Sequence, residues 1–159
     1  MPDSQSLSPR LTFADGMAQN WGDTVFTDHL GSWFWGHGNI GPYSVMYFDG
    51  LTPDGVETRS SHVTRDGKIL LSGCNDVMAR PIGVNSTYPS TQSSGNPGGF
   101  HVEFDLGVEG ILTVDVKPHF IVVQALEVFT RWVGSVTGGI VGQETYTGAA
   151  LFEEFRLLT

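Results

Sequence analysis

Between residues 100 and 117 apolar and polar positions alternate along the chain. Val102, Phe104 and Leu106 alternate with His101, Glu103 and Asp105, and Leu112, Val114 and Val116 alternate with Thr113, Asp115 and Lys117. A period of two puts one set on each face of an extended chain, so these runs predict two half-buried β-strands. Residues 120–133 are apolar on both faces, with Val122, Gln124, Leu126, Val128, Thr130 and Trp132 on one and Ile121, Val123, Ala125, Glu127, Phe129 and Arg131 on the other. That pattern predicts one long strand that bends through a closed sheet, its faces exchanging environment at the bend. Earlier in the chain, Asp49-Gly50, Pro53-Asp54-Gly55 and Asp66-Gly67 punctuate short strand-like runs, and Asp66-Gly67 is the clearest two-residue hairpin turn. Residues 149–158 fit helical spacing as well as a strand through Leu151, Phe152, Phe155 and Leu158, so periodicity leaves that segment open. Residues 85–99, NSTYPSTQSSGNPGG, form a long polar loop, expected as a solvated connector rather than a lid. The sum is an all-β domain over residues 20–159 behind a polar leader of residues 1–19. About eight or nine strands suffice to close an antiparallel barrel that holds one small ligand.

Composition sharpens this picture mainly by exclusion. Twenty-one glycines and eight prolines against 16% charged residues favour many short strands and tight turns. A net charge of -9 with only eight lysines and arginines removes nucleic acid from the partners, because phosphates need a basic surface. No run reaches the ~18 apolar residues of a membrane span, and no basic start precedes an apolar core as in a secretory signal. A cytoplasmic protein without a membrane partner is therefore expected. Cys74 is the single cysteine, so no internal disulfide forms, and it is expected as a small buried residue. The five histidines, His29, His37, His62, His101 and His119, lack the paired spacing of a metal site. Gly134, Gly138, Gly139 and Gly142 precede no helix and read as bends in a sheet, not a nucleotide cradle. The expectation is a protein that needs no metal and no cofactor.

The richest stretch for recognition is residues 32–51, SWFWGHGNIGPYSVMYFDGL. Trp33, Trp35 and His37 share one face of a strand, Tyr43 and Tyr47 share a face of the next, and either set suits a barrel interior. Aromatic walls beside a few hydrogen-bonding groups are what a site for a large, mostly apolar molecule needs. Trp33, Trp35, Tyr47 and Trp132 are the candidate substrate-binding residues. The carboxylates Glu153 and Glu154 point to opposite faces of any strand and read as solvated or turn residues, as do Asp23, Asp28 and Asp49.

Several motifs carry a resemblance. Asn20-Trp21-Gly22-Asp23, Trp33-Phe34-Trp35-Gly36-His37 with Gly41-Pro42-Tyr43-Ser44, Arg131-Trp132-Val133-Gly134-Ser135, and the run from Tyr146 to Phe155 resemble the C-terminal half of the fungal lipocalin-like Diels-Alderases. They are more distantly similar to carotenoid hydratases, and the similarity extends over roughly residues 18–158. The resemblance implies a lipocalin-like barrel and a strand for residues 149–158. It also implies a cofactor-independent cyclase that folds a linear polyene in secondary-metabolite biosynthesis, with His37, Asn39, Tyr43 and Gln124 as the catalytic hydrogen-bond donors. Members of that family carry a second, N-terminal β-domain against the substrate pocket. Here, a homodimer or a separate N-terminal-like chain is accordingly expected to cover the face left open. Two alternatives use the same architecture. A carrier would bind substrate and product alike without accelerating a reaction, whereas a hydratase would need a buried acid, for which Asp23, Asp49 and Glu127 are the candidates.

Overall fold

The structure is a computed structural model that describes residues 25–159. The expected leader, the motif from Asn20 to Asp23 and the candidate acid Asp23 lie outside the described residues. After a short 3-10 turn, Phe26–Asp28, the chain forms nine strands: β1 (Ser32–Ile40), β2 (Tyr43–Leu51), β3 (Glu57–Arg65), β4 (Lys68–Cys74), β5 (Val77–Ile82), β6 (Gly99–Asp105), β7 (Ile111–Ala125), β8 (Phe129–Ile140) and β9 (Tyr146–Arg156). They make one sheet in the order β4-β3-β2-β1-β9-β8-β7-β6-β5. The alternation at residues 100–117 is realised in β6 and β7, and Asp66-Gly67 makes the β3–β4 hairpin with Asp66 at φ 50°. Residues 149–158 are strand up to Arg156, as the resemblance implies.

Every ladder in the sheet is antiparallel. Counting directions outward from β1, β4 and β5 must therefore run the same way. The link between them at Asn75, which sits at φ 70°, is a corner and not a hairpin. β4 pairs with β3, the chain bends, and β5 pairs with β6. The two are halves of one broken strand, and the sheet is an up-and-down meander of lipocalin type whose ladder opens at that corner.

Side chains close the gap. Asp49 on β2 accepts the Ala79 N–H of β5 at 2.8 Å and an Arg80 guanidinium N–H at 3.0 Å. Arg80 also pairs with Glu57 at 2.5 Å and lies 3.9 Å from the centre of the Tyr88 ring, whose hydroxyl donates to Glu57. Arg59 donates to the Val77 carbonyl at 3.3 Å. Burial holds the Asp49 carboxyl above its usual range, against the Ala79 amide and Arg80, which pull it down. Burial also pushes Glu57 upward, but the Tyr88 hydrogen bond and the Arg80 charge keep it low. The buried carboxylate stands where a strand-to-strand hydrogen bond is missing, and it satisfies an edge amide that would otherwise be orphaned.

Inside, Phe34, Tyr47, Phe100, Phe104, Trp132 and Phe152 pack in the core of the barrel, with Trp132 and Phe152 stacked at 5.6 Å and Phe34 and Phe100 tilted against each other at 5.0 Å. Gly36 makes room for them: a Cβ there would stand 2.7 Å from the Tyr47 ring. Gly134 and Gly138, expected at bends and bulges of a sheet, lie where β8 crosses close to β7, Gly134 opposite Pro118 at one of the ladder's register shifts and a Cβ there falling 1.8 Å from the Lys117 carbonyl oxygen.

Three expectations are corrected. Residues 120–133 are not one strand but a hairpin, turning at Leu126 and Glu127, both at positive φ (51° and 59°). Primed turns of this kind favour Asn and Gly, and neither residue marks this one. Cys74 is exposed because it ends β4 at the corner. The long loop is not a solvated connector: its Tyr88 and buried Ser90 lie against the barrel, and Gln92 bonds the Leu158 carbonyl at 2.8 Å. Arg156, 2% exposed, ties this end together by donating to the carbonyls of Gly95 and Glu127 and to Asn96, while pairing with Glu154, 1% exposed, at 2.7 Å.

Removing one member of a buried ion pair leaves the other charged and unpaired, which costs about 3–5 kcal/mol. Arg156→Met is expected to lower the unfolding free energy by that order in denaturant titration, and the double variant with Glu154→Gln to recover part of it. Equal stability of wild type and Arg156→Met would show that the latch contributes nothing.

Candidate functional site

The residues expected to form a site fall into three places. β1 alternates so that Phe34, Gly36, Gly38 and Ile40 point into the barrel and Trp33, Trp35, His37 and Asn39 point out. Tyr43, Tyr47 and Trp132 belong to the interior, and all three are buried in the core. Gln124 is exposed near the tip of the β7–β8 hairpin, away from both groups. Of the two aromatic sets in residues 32–51, the tyrosines line the barrel and the tryptophans line its outer face. Among the described residues the Tyr47 hydroxyl has no hydrogen-bond partner, and burial drives its pKa strongly upward. It is a neutral phenol inside the core.

The outer set is built into a cluster. Trp33 stacks on Phe155 at 4.4 Å, Phe26 packs edge-on against both at 5.4 and 5.6 Å, and Phe129 adjoins Phe155 at 5.5 Å. Its indole N–H donates to Glu153 at 3.3 Å. Glu153 faces Trp35 across the β1–β9 ladder and Arg131 across the β8–β9 ladder. It holds Arg131 through Nε at 2.7 Å and Nη2 at 2.5 Å, although its side chain is only 10% exposed. Held in this way, the guanidinium lies 6.0 Å from the Trp35 ring centre, where a cation is attracted to the π face. Glu153 occupies Nε and Nη2, and among the described residues Nη1 makes no hydrogen bond, leaving it able to donate to a ligand.

His37, two residues along β1 from Trp35, has its ring 5.5 Å away and edge-on. Half-buried, with no hydrogen-bond partner among the described residues, it has its pKa lowered by burial, so the imidazole is neutral near pH 7. Asn39, two residues further along, is exposed at the end of the same face. Trp35 thus has a fixed donor cation across the neighbouring strand and a neutral imidazole along its own. An apolar, partly planar ligand laid on the indole would meet a hydrogen-bond donor and a proton acceptor.

Glu153 and Arg131 are the pair that pattern reading missed. Two adjacent glutamates look solvated, and only the β8–β9 register shows that one of them lies opposite an arginine beneath aromatic rings. Of the acids considered for hydration, Asp49 is buried but committed to the barrel seam, and Glu127 is exposed at the hairpin turn. Among the described residues, no helix is long and apolar enough to cross a membrane.

No protein-family model matches the chain. It is 36% identical over 140 residues to the quinolone epoxide rearrangement protein penF of Penicillium thymicola, covering 87% of this chain and 38% of that protein. It is 33% identical over 140 residues to the quinolone epoxide rearrangement protein asqO of Emericella nidulans, covering 86% and 38%. The chain thus spans well under half the length of the curated relatives it matches. Among solved structures it is similar to CghA, with a TM-score of 0.66 and 19% identity over 84% of this chain and 42% of that one. Kievitone hydratase of Nectria haematococca gives a TM-score of 0.51 and 17% identity over 81% and 40%. These structures bear out the lipocalin-like fold, and the relatives bear out the resemblance to fungal cyclisation and rearrangement proteins.

The His37 environment is directly measurable. Its ring proton resonances are expected to titrate with a midpoint below 6.5. Because the folded value is the lower one, the charging cost appears as pH falls from the unfolded value toward that midpoint, and stability drops over the same interval. A midpoint at or above 6.5 would mean that the imidazole is solvated or paired.

Proposed function

From a domain related to part of the fungal quinolone epoxide rearrangement proteins, and folded like CghA, we propose that this chain takes part in cofactor-independent rearrangement or cyclisation of a reactive secondary metabolite. The outer face of β1 carries the site. One observation supports the assignment above the others: a guanidinium fixed by a buried carboxylate lies over a tryptophan that also adjoins an unpartnered neutral histidine.

An epoxide on this face opens as follows. The C–O bond breaks with its electron pair left on oxygen, where Arg131 Nη1 donates a hydrogen bond to the developing alkoxide. The electron-poor carbon faces the Trp35 ring, whose π cloud stabilises a cation by about 0.5–2 kcal/mol. Where an internal O–H or N–H nucleophile attacks that carbon, neutral His37 takes its proton and passes it to the alkoxide oxygen; where a group migrates instead from the oxygen-bearing carbon, the alkoxide electron pair closes to a carbonyl and no proton moves. In a Diels-Alder reaction of a polyene, the same groups act more simply. The aromatic wall folds the chain into a reactive conformer, which recovers up to about 7–11 kcal/mol in well-oriented cases, and Arg131 hydrogen-bonds a carbonyl conjugated with the dienophile. The names of the relatives favour the epoxide. Trp33, which is stacked and hydrogen-bonded within the cluster, holds the wall in place.

The test is turnover of a quinolone epoxide, followed by product analysis and normalised to folded protein. His37→Gln is expected to reduce kcat by about 10²-fold or more, the usual contribution of a positioned acid-base group. Trp35→Ala is expected to lower turnover and alter the product distribution without a large loss of stability. Trp132→Ala, by contrast, empties core volume and costs about 3–5 kcal/mol of stability, with per-molecule turnover retained in the folded fraction. Full activity in both His37→Gln and Trp35→Ala would remove the outer-face site. Equal binding of substrate and product without rate enhancement would make the domain a carrier.

A further inference from the structure

The β7–β8 hairpin outruns the barrel. β6 pairs with β7 only as far as Val116, and beyond that point no strand among the described residues lies on the outer edge of β7. Residues 118–125 therefore present a free strand edge, where alternate backbone N–H and C=O groups lack a sheet partner. The side chains there are apolar on both faces: Phe120 is 72% exposed, Val122 54%, and Leu126 at the tip 91%. Segment 118–126, PHFIVVQAL, contains no acid and no lysine or arginine. Edge strands in stable proteins are commonly guarded by charge or covered, and this one has only Pro118 and two local register shifts as protection.

We propose that this arm is a self-association edge, on which a second copy of the chain adds its own residues 118–125 antiparallel about a two-fold axis. Three observations favour a second copy as occupant. An antiparallel pairing of identical edges is self-complementary, so both copies satisfy their backbone groups at once. The segment is apolar on both faces, which matches itself on both sides of the extended sheet. And the chain carries -9 net charge from seventeen acids, none of which falls in residues 118–126; Lys117 adjoins the segment at one end and the exposed Glu127 at the other, so a two-fold antiparallel pairing brings each Glu127 toward the Lys117 of the second copy. Two such molecules repel one another over most approaches, and this is the approach on which carboxylates do not meet. The proposal is independent of the catalytic reading, because it concerns neither Trp35 nor His37.

Sedimentation equilibrium of the full chain over about two decades of concentration around tens of micromolar, combined with amide hydrogen exchange, tests it. A monomer–dimer equilibrium is expected, with amides of residues 119–125 protected in the dimer. Val122→Lys, a change at an exposed position, should yield a monomer with an unchanged melting temperature and rapid exchange along the arm. A monomer at every concentration overturns the proposal, as does a dimer that Val122→Lys leaves intact. Protection of the arm amides in the monomer also overturns it, since another segment of the same chain would then hold the edge.

Discussion

The ladders on either side of β1 govern the molecule. With β2 on one side and β9 on the other, the nine-residue strand is fixed in register along its whole length, and its period of two sends Phe34 inward and Trp35 outward. A slip by one residue would reverse this and exchange the core for the site. The same registers place Glu153 between Trp35 and Arg131, and Tyr47 over Gly36. Inside the barrel the consequence is dense aromatic packing, while outside it is a partly exposed aromatic face with an ion pair beneath it.

The barrel is completed by chemistry other than strand pairing. Where β4 turns the corner into β5, no ladder can form, and Asp49, Glu57, Arg59 and Arg80 bridge the opening. At the adjoining end, Arg156 binds the long loop and the β7–β8 turn to β9. Both groups are charged residues paired within the fold, around a buried Asp49 in the first and a buried Arg156–Glu154 pair in the second, and each is committed to closing the fold. That commitment separates them from the outer face, where, among the described residues, His37 has no hydrogen-bond partner and Arg131 keeps one nitrogen free.

Much of this was legible in the chain. The alternation through β6 and β7, the Asp66-Gly67 turn and the motifs shared with fungal cyclases were enough for an all-β, lipocalin-like reading. Trp33, Trp35 and His37 could be placed together on one face by spacing alone. Which face was not legible, because both sets of aromatics in residues 32–51 are equally apolar and only packing against Phe100, Phe104 and Phe152 selects the tyrosines for the interior. The turn at Leu126-Glu127 was hidden because it uses residues that rarely adopt positive φ. Glu153 was hidden for a different reason: its partner is 22 residues away in sequence and becomes a neighbour only through the β8–β9 register.

The account rests on ligand contacting the outside of this barrel and not its interior. Two-dimensional NMR of the indole N–H groups, with a quinolone ring-opened product titrated in, addresses that choice most directly. The account predicts saturable shifts of the Trp35 indole and the His37 ring, with Trp132 unmoved. Shifts at Trp132 and the Tyr47 ring, with Trp35 silent, would contradict it and put the binding site inside the barrel.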